Sequence, residues 1–150
     1  MTQNFSIFEF ATINVDKKTI SFDVGLIGFF ESKLGSVFES ILYRDFSGTE
    51  NIWESVQIRK VSDLNAQIVI TIQSFLCACP NIKKISFVDC FDDAGQTILN
   101  FFSSLVSFSR KINFIEIIRM RCCDEKMADV LYSLQNYNEL KILNISANGA

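Results

Sequence analysis

The chain has 150 residues and a mass of 17.1 kDa, the size of one domain, and with 49% hydrophobic residues it can bury a sizeable core without a metal or disulfide staple. Lys and Arg number 14 against 17 Asp and Glu, a net charge of −3 that argues against a surface built globally to coat nucleic acid or anionic lipid. The absence of histidine excludes His-based acid/base work, Ser–His and Cys–His dyads and His-containing zinc sets. Five cysteines, an odd number, fit a reducing compartment better than a disulfide scaffold. The opening residues MTQNFSIFEF hold no basic run ahead of an apolar one. The most apolar stretch, 66–79, is interrupted by Gln67 and Gln73 and falls short of the ~20 residues that span a bilayer. A soluble, cytoplasmic protein without a transmembrane segment is expected.

In chain order, residues 5–15 alternate, with Phe8 and Phe10 and then Ile13 and Val15, and end in Asp16-Lys17-Lys18. This predicts one or two strands that cap the molecule within residues 1–19. A short strand at Ile20 and Phe22 follows, then Phe30, Leu34, Phe38 and Ile41 at helical spacing. From there strand-like and helical stretches alternate. The helical stripes are Leu64, Ile68, Ile72, Phe75 and Cys79; Ala94, Ile98, Phe102, Leu105 and Phe108; and Met127, Val130, Leu131 and Leu134. Ser62-Asp63 and Asp92-Asp93 are expected N-caps, and Cys79-Pro80-Asn81 is a helix stop because Pro disfavours the α region for the residue before it.

The strand-like stretches fit one template, L-x-x-L-x-L-x-x-N/C. Its four units are Trp53, Val56, Ile58, Val61; Ile82, Ile85, Phe87, Cys90; Ile115, Ile118, Met120, Cys123; and Leu140, Leu143, Ile145, Asn148. Their last positions, Val61, Cys90, Cys123 and Asn148, recur at intervals close to the period of leucine-rich repeats. One strand–helix unit cannot cover its own apolar face, so units stack and share a core. The expected fold is α/β: a single domain over 1–150, a short leucine-rich-repeat solenoid with a parallel concave sheet and an outer layer of helices. The cap occupies 1–19 and about five repeats occupy 20–150, the last incomplete. Ser146-Ala147-Asn148-Gly149-Ala150 falls where a strand should turn into its helix, so a larger solenoid, a partner surface or a truncated product is expected at that end.

Units of this length with long helices resemble the ribonuclease-inhibitor-type class of leucine-rich repeats. Within that class, the order of features resembles the opening repeats of the CARMIL family of actin capping-protein regulators. The resemblance is carried by Thr19-Ile20-Ser21-Phe22-Asp23, by Asn51-Ile52-Trp53 leading into Val56-Gln57-Ile58, by Pro80-Asn81-Ile82-Lys83-Lys84-Ile85-Ser86-Phe87, and by Leu140-Lys141-Ile142-Leu143-Asn144-Ile145. It implies a protein-binding scaffold in a cytoskeletal or signalling setting. Ile and Phe largely replace Leu here, and Val61 stands where Asn or Cys is usual.

Reactive groups read as structural. Cys90 and Cys123 take the N/C position of the repeat as small buried side chains. Cys77-x-Cys79 and Cys122-Cys123 lack the C-x₂₋₄-C spacing of zinc sites, and a catalytic thiol has no histidine to activate it. Asp92-Asp93 and Asp124-Glu125 follow strands and open helices, where the macrodipole favours negative charge. Gly25-x-x-Gly28 has no Lys and no phosphate-loop spacing. No catalytic residue, metal ligand or cofactor is assigned, and an enzyme is not expected.

The residues between the apolar strand positions face the concave side. Arg59, Lys84, Arg119 and Arg121, with Gln57 among them, would lie on neighbouring strands as a basic stripe. The expected function is therefore a non-catalytic protein-interaction module whose concave sheet meets an acidic protein partner. Nucleic acid is disfavoured because aromatics do not interleave with the cations. The alternative is a structural fragment or amino-terminal cap of a larger repeat scaffold, self-associating through its open C-terminal repeat.

Overall fold

A computed structural model of the chain describes residues 4–8, 11–23, 51–61, 64–92, 96–105, 111–122, 124–135, 137 and 140–146. One mixed sheet runs through them in chain order: β1 (Asn4–Phe8), β2 (Ala11–Asn14), β3 (Thr19–Asp23), β4 (Ser55–Arg59), β5 (Lys84–Val88), β6 (Phe114–Ile118) and β7 (Ile142–Ser146). β1, β2 and β3 are antiparallel neighbours, and β3 to β7 are parallel. The expected amino-terminal strands thus form the sheet edge beside the first parallel strand. Their turn is closed locally: Asn14 Oδ1 accepts the Lys17 N–H at 3.0 Å, and the Lys18 N–H reaches the Val15 carbonyl at 3.1 Å. Lys18 takes the positive φ of 55° that ends it.

Three helices are described, α1 (Ala66–Ala78), α2 (Gln96–Ser103) and α3 (Asp124–Gln135). α1 is N-capped by Asn65, whose Oδ1 accepts the Ile68 N–H at 3.0 Å. It stops at Cys79, directly before Pro80, as expected. The caps expected at Ser62-Asp63, the helix over 30–41, Gly25, Gly28, Asp93, Ala94, Phe108 and Cys123 lie outside the described residues. Asp92 is buried and its Oδ2 accepts the Ile98 N–H at 2.9 Å, so it serves the α2 N-terminus from four residues ahead of the first helical residue.

The core lies between helices and one sheet face. Strand alternation sends Val56, Ile58, Ile85, Phe87, Ile115 and Ile117 into it, opposed by the apolar stripes of the helices. Phe22 meets Phe75 edge-on at 5.8 Å, and Phe87 meets Phe101 at 5.3 Å and Phe102 at 5.8 Å. Ile68, Ile72 and Phe75 of α1, Ile98 and Phe102 of α2, and Val130 and Leu134 of α3 are buried as their spacing requires. Leu131, placed on the same stripe by spacing, is instead exposed. It sits one residue round from Val130, whereas Ser133 faces Ser103 of α2 across 3.3 Å. Leu131 is therefore turned to the far side of α3.

The third unit sits three residues earlier than the template placed it. Ile85 pairs with Ile115 and Phe87 with Ile117, so the equivalent residues are Ile112, Ile115, Ile117 and Met120, not Ile115, Ile118, Met120 and Cys123. Every core position of the corrected unit is buried, while Ile118 turns to the opposite face. Trp53, Ile82, Ile112 and Leu140 then begin the successive units, and they are more evenly spaced along the chain than the template positions are.

The backbone repeats with the units. The carbonyls of Lys18, Glu54, Lys83 and Asn113 each accept two N–H groups from the start of the next strand, at 2.7 to 3.2 Å. After the strands, Lys60, Asp89 and Arg119 take φ values of 58°, 57° and 52° at one equivalent position. Each is followed by a buried residue, Val61, Cys90 or Met120. No helix among the described residues is long and apolar enough to cross a membrane.

Candidate functional site

Alternation turns the remaining strand residues to the face opposite the described helices, where Ser86 and Val88 are nonetheless buried, and the register arranges them in three rows. The first row is Thr19, Ser55, Lys84, Phe114 and Ile142; the second Ser21, Gln57, Ser86, Glu116 and Asn144; the third Arg59, Val88 and Ile118.

The middle row is a hydrogen-bonded polar ladder. Ser21 Oγ donates to Gln57 Oε1 at 3.0 Å, Ser86 Oγ to Glu116 Oε1 at 3.0 Å, and Asn144 Nδ2 to Glu116 Oε2 at 3.0 Å. Lys84 Nζ lies 3.7 Å from Glu116 Oε1 and 4.4 Å from the Phe114 ring centroid. The Lys84 charge is thus held between an internal carboxylate and an aromatic face.

The third row ends differently. Arg59 Nε is buried and has no hydrogen-bond partner among the described residues. Beyond it, at the left-handed turns, Arg119 donates from Nη2 to Asp89 Oδ2 at 3.0 Å and from Nε to Oδ1, a bidentate pair. The Arg119 hydrogen bonds, with the charges of Arg119, Arg59 and Lys60 around it, hold the Asp89 carboxyl below the usual range. Three cations therefore surround one carboxylate at the ends of β4 to β6.

The expected basic stripe does not form. Arg59 is opposite Val88, while Lys84 is opposite Ser55, four residues or ~13 Å away along the strand direction. Arg119 and Arg121 lie beyond β6, because the unit they were read from was three residues out of register. Arg119 is committed to Asp89, and Arg121 forms an isolated parallel bridge with Phe91 one step further on. Gln57 is the one residue besides Arg59 and Lys84 on the expected face, and it is bonded to Ser21. Sequence reasoning missed Asp89 and Glu116 as the groups that neutralise the cations. Each stands one unit away from its partner along the chain, a relation that is visible only once the register is known.

Cys90 is buried, as its place in the unit predicts. Its Sγ lies 3.7 Å from the Ile58 carbonyl and 3.5 Å from the Val88 carbonyl, and burial pushes its pKa up to about 11. Cys77 is exposed and Cys79 buried, so they do not share a helix face. Among the described residues no group of three or more Cys, Asp or Glu is gathered as a metal site. Compared with known proteins, the chain matches no family model, and neither a curated protein nor a solved structure matches it.

Proposed function

We propose that the chain is a non-catalytic protein-interaction module, a short leucine-rich-repeat solenoid that offers the sheet face opposite its described helices to a protein partner. The observation that supports this is the register: five parallel strands in chain order, each joined to the next by the same paired backbone bonds, with the same left-handed turn after β4, β5 and β6. A surface of in-register rows suits an extended partner. The resemblance to CARMIL repeats makes a cytoskeletal, actin-regulatory setting in the cytoplasm the first place to seek that partner. Affinity capture followed by hydrogen-exchange footprinting tests the reading. Protection concentrated on β4, β5 and β6 is expected, and a footprint confined to the outer faces of the helices would overturn it.

A second reading, a repeat segment that serves only to stack on further units, is favoured by the β7 end. Ile142 and Leu143 are 50% and 39% exposed on opposite faces of that strand, and Leu131 is exposed on α3. Sedimentation separates the two: concentration-dependent self-association abolished by Leu143→Lys supports stacking, and a monomer at all concentrations supports the binding module.

A further inference from the structure

Resting on the stacking reading of the β7 end, we infer that the unit which follows β7 is the β1 strand of a second copy of this chain, so that copies join head to tail and the sheet runs on from one into the next. Pairing of this kind leaves β4 to β6 untouched and is compatible with a partner bound there.

The two strands are the two edges of the sheet. β1 is antiparallel to β2 and β2 to β3, while β3 to β7 are parallel, so β1 and β7 run in the same direction. A β1 strand set beside β7 therefore continues the parallel series without turning either copy over. The β7 side shows what such a strand would complete. Lys18, Glu54, Lys83 and Asn113 each stand one residue before a strand and offer the carbonyl to two N–H groups at the start of the next. Lys141 holds that position before Ile142, and among the described residues no further strand of the sheet lies beyond it. Ile115 is fully buried where β7 covers it, whereas Leu143, its register partner, is exposed. The helix layer repeats the contrast. Phe101 and Leu131 each stand two residues before the serines that meet between α2 and α3, Ser103 and Ser133, and Phe101 is fully buried while Leu131 is exposed.

β1 fits this edge by composition. The parallel strands read TISFD, SVQIR, KISFV, FIEII and ILNIS, each with apolar residues at its second and fourth positions and a polar residue at its third. β1 reads NFSIF, the same pattern, whereas the four residues of β2, ATIN, depart from it. Neither β1 nor β7 carries a charged residue or a proline, the devices that usually keep edge strands apart. An uncharged strand is also what the exposed Leu143 requires, because a charge buried against it would go unpaired. In the register of the units, Asn4 takes the place opposite Ile142, Phe5 opposite Leu143 and Ser6 opposite Asn144; an irregularity between Ser6 and Phe8 ends the regular stretch of β1. The contact is heterologous, so each added copy presents a fresh β7 edge and growth does not stop at two.

Sedimentation equilibrium of the full chain should give a weight-average mass that climbs with concentration past two copies of 17.1 kDa. Leu143→Lys blocks the β7 edge and Phe5→Lys the β1 edge, so each alone should stay monomeric, and an equimolar mixture should form a complex of two chains that grows no further. Circular dichroism melts of both variants accompany the masses. A third arm uses only the wild type. The blocked peptide of residues 1–8, MTQNFSIF, should move the amide resonances of Ile142, Leu143 and Asn144 in the ¹⁵N-labelled chain and shift the mass towards the monomer. The same peptide with Phe5→Lys and Ile7→Lys should bind about tenfold more weakly or not at all.

A monomer at all concentrations would overturn both this inference and the stacking reading. Association that stops at two copies, lost in Leu143→Lys and kept in Phe5→Lys, would overturn the β1 assignment alone and leave β7 pairing with itself. Should Phe5→Lys fail to fold, the peptides decide: equal binding by the two, or movement of amides elsewhere with β7 unmoved, removes β1 as the occupant of this edge.

Discussion

Arg119 reaches back across one strand to Asp89 and grips both of its carboxylate oxygens, and the two residues hold the same left-handed position in consecutive units. Left-handed backbone is unfavourable for a residue with a Cβ, by ~1 kcal/mol or more. It persists here because the surrounding ladder bonds, from Lys60 N to Val88 O and from Asp89 N to Ile118 O at 2.9 Å each, require it. The ion pair is thus laid over a turn that the strand ends have already set.

Position 60 tests that turn directly. Lys60→Gly should be neutral or stabilising by up to ~1 kcal/mol, while Lys60→Val should cost ~1–2 kcal/mol, because a β-branched residue resists positive φ. Urea unfolding of both variants measures the difference, and equal stabilities would mean that the turn is not left-handed.

The Asp89 carboxyl is held low by its hydrogen bonds from Arg119, and Glu54 is held low by Lys18 and then Lys83. A carboxyl whose folded pKa is depressed contributes stability above its unfolded pKa of about 4, and that stability is lost as pH falls through the folded value. Stability should therefore decline below about pH 4 to 5, and Asp89→Asn together with Glu54→Gln should flatten that decline. Both carboxyls are open to solvent, so the flattening should be small and should shrink further in high salt. Chemical denaturation at pH 7 and pH 3 reads it out.

Thiol reactivity separates the cysteines. Cys77 is exposed, whereas Cys90 is buried with its pKa pushed up to about 11. Iodoacetamide at pH 8 should label Cys77 on the folded chain and reach Cys90 only after denaturant is added, as site-resolved mass spectrometry will show. Rapid labelling of Cys90 in the native protein would contradict its place beneath the Ile58 and Val88 carbonyls.

Phe87 fills the centre of the core, fully buried against Phe101 and Phe102. Phe87→Ala should destabilise by ~3–5 kcal/mol. A loss under ~1 kcal/mol would place that side chain in solvent and invert every face assignment on the sheet.

The corrected third unit makes its own prediction. Ile117 is buried beneath the helices, while Ile118 is half-buried on the opposite face. Ile117→Ala should cost ~2–4 kcal/mol, and Ile118→Thr less than ~1 kcal/mol, in urea unfolding. The reverse order would restore the register read from the template.

Much of the fold is legible in the chain itself. The period-2 runs at 55–59 and 84–88, the 3.6-period stripe from Leu64 to Cys79 and the stop at Pro80 mark strand, helix and boundary through local sterics and amphipathicity alone. Residues 112–120 are ambiguous by the same criteria, because apolar side chains at 112, 114, 115, 117, 118 and 120 satisfy the template in two registers three residues apart. Only the ladder, with Ile85 against Ile115, decides between them. That decision carries the site with it, since the pleat sends alternate residues to opposite faces. It put Arg119 and Arg121 past the strand end, gave Lys84 to Glu116 and Arg119 to Asp89, and left Arg59 half-buried on the face opposite the described helices. Sequence pattern determines which residues want burial, through interactions within one turn or one strand. Which charge meets which countercharge depends on neighbours a whole unit away in the chain, and pairing between strands alone brings those together.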